Sequence, residues 1–211
     1  PLIIGGRYGL SSKDTTPAQI VAVYDNLELN EPKNDFTIGI VDDVTFKSLS
    51  IKSEVSIVKP GTTECKFYGL GSDGTVGANK NTIKIIGSHT QKYCQAYFDY
   101  DSKKSGGYTC SHLRFGDKPI KAPYLVSTPD FVEKGTLLLN SLWDEEETVK
   151  RIPDNVKAVI GKKKIKLYII NATKIAAEIG LGNRTNTILQ SAFFKITGII
   201  PYEDAVKYMK D

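Results

Sequence analysis

The stretch Phe67-Tyr-Gly-Leu-Gly-Ser-Asp-Gly-Thr-Val-Gly-Ala-Asn-Lys80 constrains the fold of this chain more than any other. Aromatic and apolar residues lead into a glycine-rich turn, and a helical pattern carrying Ile83, Ile85 and Ile86 follows. Within it, Gly69-Leu-Gly71-Ser-Asp-Gly74 fits G-x-G-x-x-G, the fingerprint of dinucleotide-binding strand–turn–helix units. Glycines there accept positive φ and let a pyrophosphate approach the backbone. The helix beyond aims unpaired amides and the positive end of its dipole at an anion. A purely structural turn would show the same pattern. The strand before, the helix after and a second strand beyond favour a nucleotide-shaped ligand.

Composition narrows the partners. A net charge of +4 over 211 residues suits a phosphorylated small molecule, and is also common where nothing charged is bound. The densest basic run, Lys162-Lys-Lys-Ile-Lys166, lies near Glu145, Glu146 and Glu147 and has no RNA-binding signature beside it, so it reads as a solvated turn. We expect no nucleic-acid partner. No apolar run approaches the roughly 20 residues of a membrane span, and Pro1-Leu-Ile-Ile-Gly-Gly is no secretory leader. The absence of an initiator Met makes a piece of a longer protein the expectation. Cys65, Cys94 and Cys110 are widely spaced without C-x-x-C, which argues against zinc or iron–sulfur ligation and for reduced, buried thiols in a cytoplasmic protein. His89 and His112 do not make a metal site or a triad.

Along the chain, Thr16-Pro17 starts a helix with Thr as N-cap and Pro at N1, and residues 20–27 supply its apolar stripe. Residues 36–41 read as a buried strand and residues 48–60 as a connector. We place a boundary near Gly61, giving 1–61 and 62–211. In the second part, residues 65–68 and 93–98 are expected as parallel strands joined by a helix over 75–86, with residues 108–115 returning antiparallel. Residues 124–127 and 136–139 read as further buried strands, joined by a link too short for a parallel crossover. Glu133-Lys-Gly135 resembles a helix tail whose helix is absent. Helices follow around Pro153, over 173–179, over 186–194 and over 201–209, with a strand over 165–170. This alternation predicts an α/β fold: a three-layer Rossmann-like domain with a mixed, mainly parallel sheet.

Several of these words are familiar together. Gly5-Gly-Arg-Tyr-Gly-Leu-Ser-Ser-Lys13, Gly39-Ile-Val-Asp-Asp-Val-Thr45 and the glycine-rich stretch through Lys80 resemble the pyruvate:ferredoxin (flavodoxin) oxidoreductases. So do Tyr100-Asp-Ser-Lys-Lys-Ser-Gly-Gly107, Ser111-His-Leu-Arg-Phe-Gly116 and Gln190-Ser-Ala-Phe-Phe-Lys195. The resemblance is collinear from end to end. It covers the gamma-type domain of that large enzyme, preceded by the tail of another domain. Between Val132 and Glu133 the family carries a longer segment with a helix, which is deleted here or left out of the chain.

The resemblance implies an oxidoreductase of electron transport: pyruvate, coenzyme A and oxidised ferredoxin or flavodoxin give acetyl-CoA, carbon dioxide and reduced carrier. Thiamine diphosphate with Mg attacks the keto acid and 4Fe–4S clusters remove electrons, all bound by other domains of an expected homodimer. This chain has neither Gly-Asp-Gly with a distant Asn nor cluster cysteines, so it is expected to be inactive alone. Coenzyme A binding is what the family assigns to the gamma-type domain. The alternatives are a free-standing NAD(P)-binding oxidoreductase domain and a structural interdomain module.

For coenzyme A the first candidates are Gly69, Gly71, Ser72, Asp73, Gly74 and Thr75. Their amides and the Ser72 and Thr75 hydroxyls would donate to phosphate, while ionised Asp73 would accept from the ligand or cap the helix. Lys80 holds a family-motif position within the helix, or simply faces solvent. Lys103, Lys104 and Ser105 follow the second strand, where a dinucleotide fold reads the adenosine ribose. Asp99 or Asp101 there would suit NAD, whereas two lysines suit an extra phosphate such as the 3′-phosphate of coenzyme A, or a solvated turn. Arg114, Asn171 and Arg184 end or follow expected elements and would serve the ligand or a domain interface.

Overall fold

The computed structural model describes residues 2–9, 14–70, 73–101, 107–127, 135–182 and 184–210. The chain forms two compact units, Pro1–Lys59 with Lys121–Leu125, and Pro60–Ile120 with Val126–Asp211.

In the first unit, strand β1 (Gly6–Arg7) pairs in parallel with β2 (Phe36–Thr37), and α1 (Pro17–Leu27) lies between them in sequence. The helix starts where its sequence says it should. Thr16 Oγ1 accepts from the Gln19 amide at 3.4 Å and Gln19 Oε1 accepts from the Thr16 amide at 3.1 Å, a capping box with Pro17 at N1. Ala22, Phe36 and Ile38 make the small core, and the Phe36 ring fills the space a Cβ would need at Gly6. The strand expected over 36–41 is cut short. Gly39 adopts φ +81°, which turns the chain away, and Val41 is 87% exposed. Beyond that turn the Asp42 carboxylate accepts from the Thr45 hydroxyl and from the Val44 and Thr45 amides, and these bonds hold it well below the usual carboxylate range. The strand expected over 124–127 is absent too. The Tyr124 ring is buried, its hydroxyl accepts from the Ile57 amide, and the Leu125 amide donates to Asp14, so side chains rather than a sheet ladder hold this segment. With no strand there, nothing in the described chain requires a crossover helix ahead of residue 136; the Val132–Glu133 junction lies outside the described residues.

The second unit begins with β3 (Thr63–Leu70), α2 (Thr75–His89), β4 (Tyr93–Tyr100) and β5 (Tyr108–Gly116). The sheet order is β3-β5-β4, with Leu70 opposite Tyr108 and Tyr100 opposite Thr109. So β3 and β4 do point the same way, and β5 is antiparallel to β4, as the short link requires. The expected parallel neighbours are nevertheless not neighbours: β5 inserts between them, and this sheet is antiparallel throughout. The burial pattern explains the choice. Strand β5 is buried on both faces from Cys110 to Gly116, whereas β3 and β4 are only partly covered, as edges are. Cys65, Leu113 and Phe115 face Ile85 and Ile86 of α2 in the main core.

A separate parallel pair, β6 (Thr136–Asn140) and β7 (Lys166–Ile170), is joined through α3 (Glu145–Arg151) and α4 (Asp154–Lys163), with Pro153 between the helices. Asp144 caps α3 by accepting from the Glu147 amide at 2.8 Å. Next come α5 (Ala172–Glu178), α6 (Asn186–Thr197) and α7 (Tyr202–Tyr208). Phe193 and Phe194 of α6, with Ile200 and Ala205, complete the core, and Phe193 meets the Phe67 ring edge-on at 5.3 Å. The architecture is thus mixed α/β with both parallel and antiparallel pairing, divided among separate sheets rather than gathered into one.

Candidate functional site

The site is built at the end of the β3-β5-β4 sheet where β3 and β4 finish. Leu70 closes β3, and α2 begins at Thr75 after Gly74, which sits at φ +85° in the left-handed region. That conformation is what glycine supplies without strain. The first glycine of the motif has a different reason. A Cβ on Gly69 would lie 2.3 Å from Thr75 Oγ1 and 2.8 Å from Asp73 Oδ2, so the side chains of Asp73 and Thr75 pack back against the strand there. Asp73 locks that fold: Oδ2 accepts from the Leu70 amide at 2.9 Å and Oδ1 from the Thr75 amide at 2.8 Å. Of the two roles open to Asp73, this geometry is the loop-capping one. It also engages the first of the four amides that a helix start leaves unpaired.

A second helix start reaches the same place. Asn186, the first residue of α6, donates from Nδ2 to the Gly74 carbonyl at 3.5 Å. Arg184, exposed and two residues earlier, is carried to this end with it. Neither α2 nor α6 has an acidic residue in its first turn, so two positive helix ends meet at Gly74 with Asp73 as the nearby counter-charge. Chemically, the arrangement suits an anion that accepts several hydrogen bonds.

The remaining candidates divide. Lys80 is exposed and holds its ammonium 5.3 Å from the centre of the Phe98 ring, about one and a half turns beyond the helix start. Asn171 is the N-cap of α5: Oδ1 accepts from the Lys174 amide at 2.8 Å and Nδ2 donates to the Leu142 carbonyl at 3.2 Å. One end of that side chain caps α5 and the other ties to the segment that follows β6. Arg114 lies mid-sheet, 1% exposed, with Nε 2.6 Å from Glu64 and Nη1 donating to Gln95 at 3.0 Å. These three residues sit directly opposite one another on β3, β5 and β4, a cross-strand tie away from the loop. Gly71, Ser72, Lys103, Lys104 and Ser105 lie outside the described residues.

Sequence reading missed Asn186, and also two buried carboxamides one turn inside the helices, Asn79 on α2 and Gln190 on α6. The only sequence signal was a polar residue on an otherwise apolar helical face. Cys65, Cys94 and Cys110 are thiols with no disulfide among them, and burial pushes the Cys94 and Cys110 thiols up. Among the described residues no three His, Cys, Asp or Glu side chains converge as a metal site would require. Among them, too, no helix is long and apolar enough to cross a membrane.

Comparison with known proteins gives one consistent answer. The family model described as "Pyruvate ferredoxin/flavodoxin oxidoreductase" matches residues 64–133 and 132–211. Those two stretches meet where the sequence reading places a segment carried by the family. The pyruvate:ferredoxin oxidoreductase of Moorella thermoacetica is 53% identical over 228 residues, covering 100% of this chain and 20% of that protein. The pyruvate-flavodoxin oxidoreductase of Enterobacter agglomerans is 50% identical over 229 residues, with 100% and 20% covered. The chain therefore spans about a fifth of the length of the curated relatives it matches. Among solved structures, pyruvate oxidoreductase subunit PORC from Thermotoga maritima superposes with a TM-score of 0.51 at 23% identity, over 70% of this chain and 83% of that one. That likeness is one of fold.

Proposed function

The chain belongs to the pyruvate ferredoxin/flavodoxin oxidoreductase family, and on that premise we propose that it is the coenzyme A-binding part of an enzyme that oxidatively decarboxylates pyruvate. The observation that carries this reading is the meeting of the α2 and α6 starts at Gly74, beside a glycine loop held by Asp73. Coenzyme A presents a diphosphate suited to that end. Residues 62–211 are the binding domain and residues 1–61 the tail of a preceding one.

In this proposal thiamine diphosphate, Mg and the 4Fe–4S clusters belong to other domains. Ferredoxin or flavodoxin meets the whole enzyme, which works as a cytoplasmic homodimer. The part played by this chain is to bind the diphosphate and orient the thiol-bearing arm toward the domains that do the chemistry.

Ligand discrimination tests the reading. In the full-length enzyme, Lys103→Ala with Lys104→Ala removes charge-assisted contacts to the 3′-phosphate, each worth on the order of 1.5–3 kcal/mol. Coenzyme A binding should weaken about tenfold or more while dephospho-coenzyme A binds both proteins alike. Isothermal titration of both ligands decides. Failure of the unsubstituted enzyme to bind coenzyme A through this domain would end the proposal.

A further inference from the structure

We propose that Asn79 and Gln190 are ligand-binding residues of this site, donating from their side-chain amides to oxygen acceptors of the bound coenzyme A; the inference rests on the coenzyme A reading above. Both are more than nine-tenths buried, at 5% and 8% exposure, and neither Asn79 Nδ2 nor Gln190 Nε2 has a hydrogen-bond partner. A buried unpartnered amide is costly, and native chains seldom keep one without a use. Here there are two, on the two helices whose starts converge at Gly74.

Their position gives them a direction. Asn79 lies four residues after Thr75 and Gln190 four after Asn186, so each is one helical turn inside its start. Helical side chains lean toward the N-terminus and cover the preceding turn, which aims both carboxamides at the Gly74–Asn186 end. The levels also agree. Thr75 packs on Gly69, and Asn79 is ~6 Å further along α2, while Phe67 is ~7 Å back along β3. Opposite Phe67 on β5 is Ser111, fully buried, whose Oγ is a third unpartnered atom. On the far side, Phe67 meets Phe193, three residues after Gln190. By these rises the three unpartnered atoms, Asn79 Nδ2, Gln190 Nε2 and Ser111 Oγ, fall within about a helical turn of one another in depth below Gly69, and a ligand oxygen there would supply the missing acceptor. Two parts of coenzyme A offer that acceptor, the amide carbonyls of the pantetheine arm and the diphosphate oxygens.

The test is Asn79→Leu and Gln190→Met in the full-length enzyme, changes of similar size that remove the carboxamide and with it the buried donor. Coenzyme A affinity by titration calorimetry should fall about tenfold for each, while the melting temperature of the unliganded protein holds or rises because an unpaired buried donor has gone. Adenosine 3′-phosphate 5′-diphosphate and pantetheine are titrated as separate probes. A loss confined to pantetheine assigns the donors to the arm, and a loss confined to the diphosphate probe assigns them to phosphate. Unchanged coenzyme A affinity overturns the inference, as does a loss that appears only with a lowered melting temperature. If the lysine pair still discriminates coenzyme A from dephospho-coenzyme A while these variants bind normally, this inference alone has failed.

Discussion

At Gly74 backbone geometry and proposed ligand contact fall on one residue. Its φ of +85° costs an L-residue roughly 1–2 kcal/mol, and a Cβ there would stand 3.0 Å from Asn186 Nδ2. Gly74→Ala should therefore lower stability by about that amount in a denaturant melt and weaken coenzyme A binding in parallel. His112 gives a second prediction at this scale. Its Nδ1 accepts from the Val126 amide at 3.0 Å, and burial, reinforced by the Lys66 charge, pushes its pKa below the ordinary 6.5. A depressed folded-state pKa means the unfolded chain binds the proton first. Stability is full above 6.5 and falls as pH drops toward the folded value, by at most about 1.4 kcal/mol per pH unit. Urea melts between pH 7 and 5 should show that slope, and His112→Asn, which keeps an acceptor but cannot protonate, should flatten it. The glycine loop was legible in the sequence because positive φ and close packing leave a glycine signature. Asn79, Asn186 and Gln190 were not, because their significance depends on α2 and α6 meeting, which no local pattern encodes.

Among the elements, local signals located helices well. Thr16 with Pro17 appears where a start was read, and helices lie on either side of Pro153 as expected, because caps and breaks are short-range signals written in consecutive residues. Strand placement across the sheet was not readable in the same way. The direction of β3, β4 and β5 followed from link lengths, but the insertion of β5 between the other two is a choice among pairings equally open to the chain. The full burial of β5 settles it, since Leu113, Phe115, Ser111 and His112 all leave solvent only in the central position. The strand expected at residues 124–127 failed for a related reason: an apolar run reports burial, and Tyr124 and Val126 are buried without a ladder. Helix α6 is the element on which core and site both depend. Phe193 contacts Phe67, Phe115 and Phe194 within 6.4 Å. Phe193→Ala should cost about 3–5 kcal/mol in a denaturant melt. It should also loosen the α6 start, so that coenzyme A affinity falls although Phe193 touches no ligand.

For the whole molecule, the relevant fact is proportion: this chain corresponds to about a fifth of each curated relative it matches. The chemistry proposed for the complete enzyme needs a carbanion-stabilising cofactor and a path for two electrons. The proposed function assigns both to other domains of that enzyme; the three thiols described here, Cys65, Cys94 and Cys110, sit on three different strands. Binding energy at Gly74 can position a thiol, but it cannot cleave a carbon–carbon bond or accept electrons. The purified chain, supplied with pyruvate, coenzyme A, thiamine diphosphate, Mg and oxidised ferredoxin, should therefore give no carrier reduction above the protein-free rate. Adding it in trans to an enzyme whose own coenzyme A domain carries Gly74→Ala and the two lysine substitutions separates binding from chemistry. Restored turnover there would show that the chain folds and binds alone. Carrier reduction by the metal-free chain alone would refute the division of labour on which the proposed function rests.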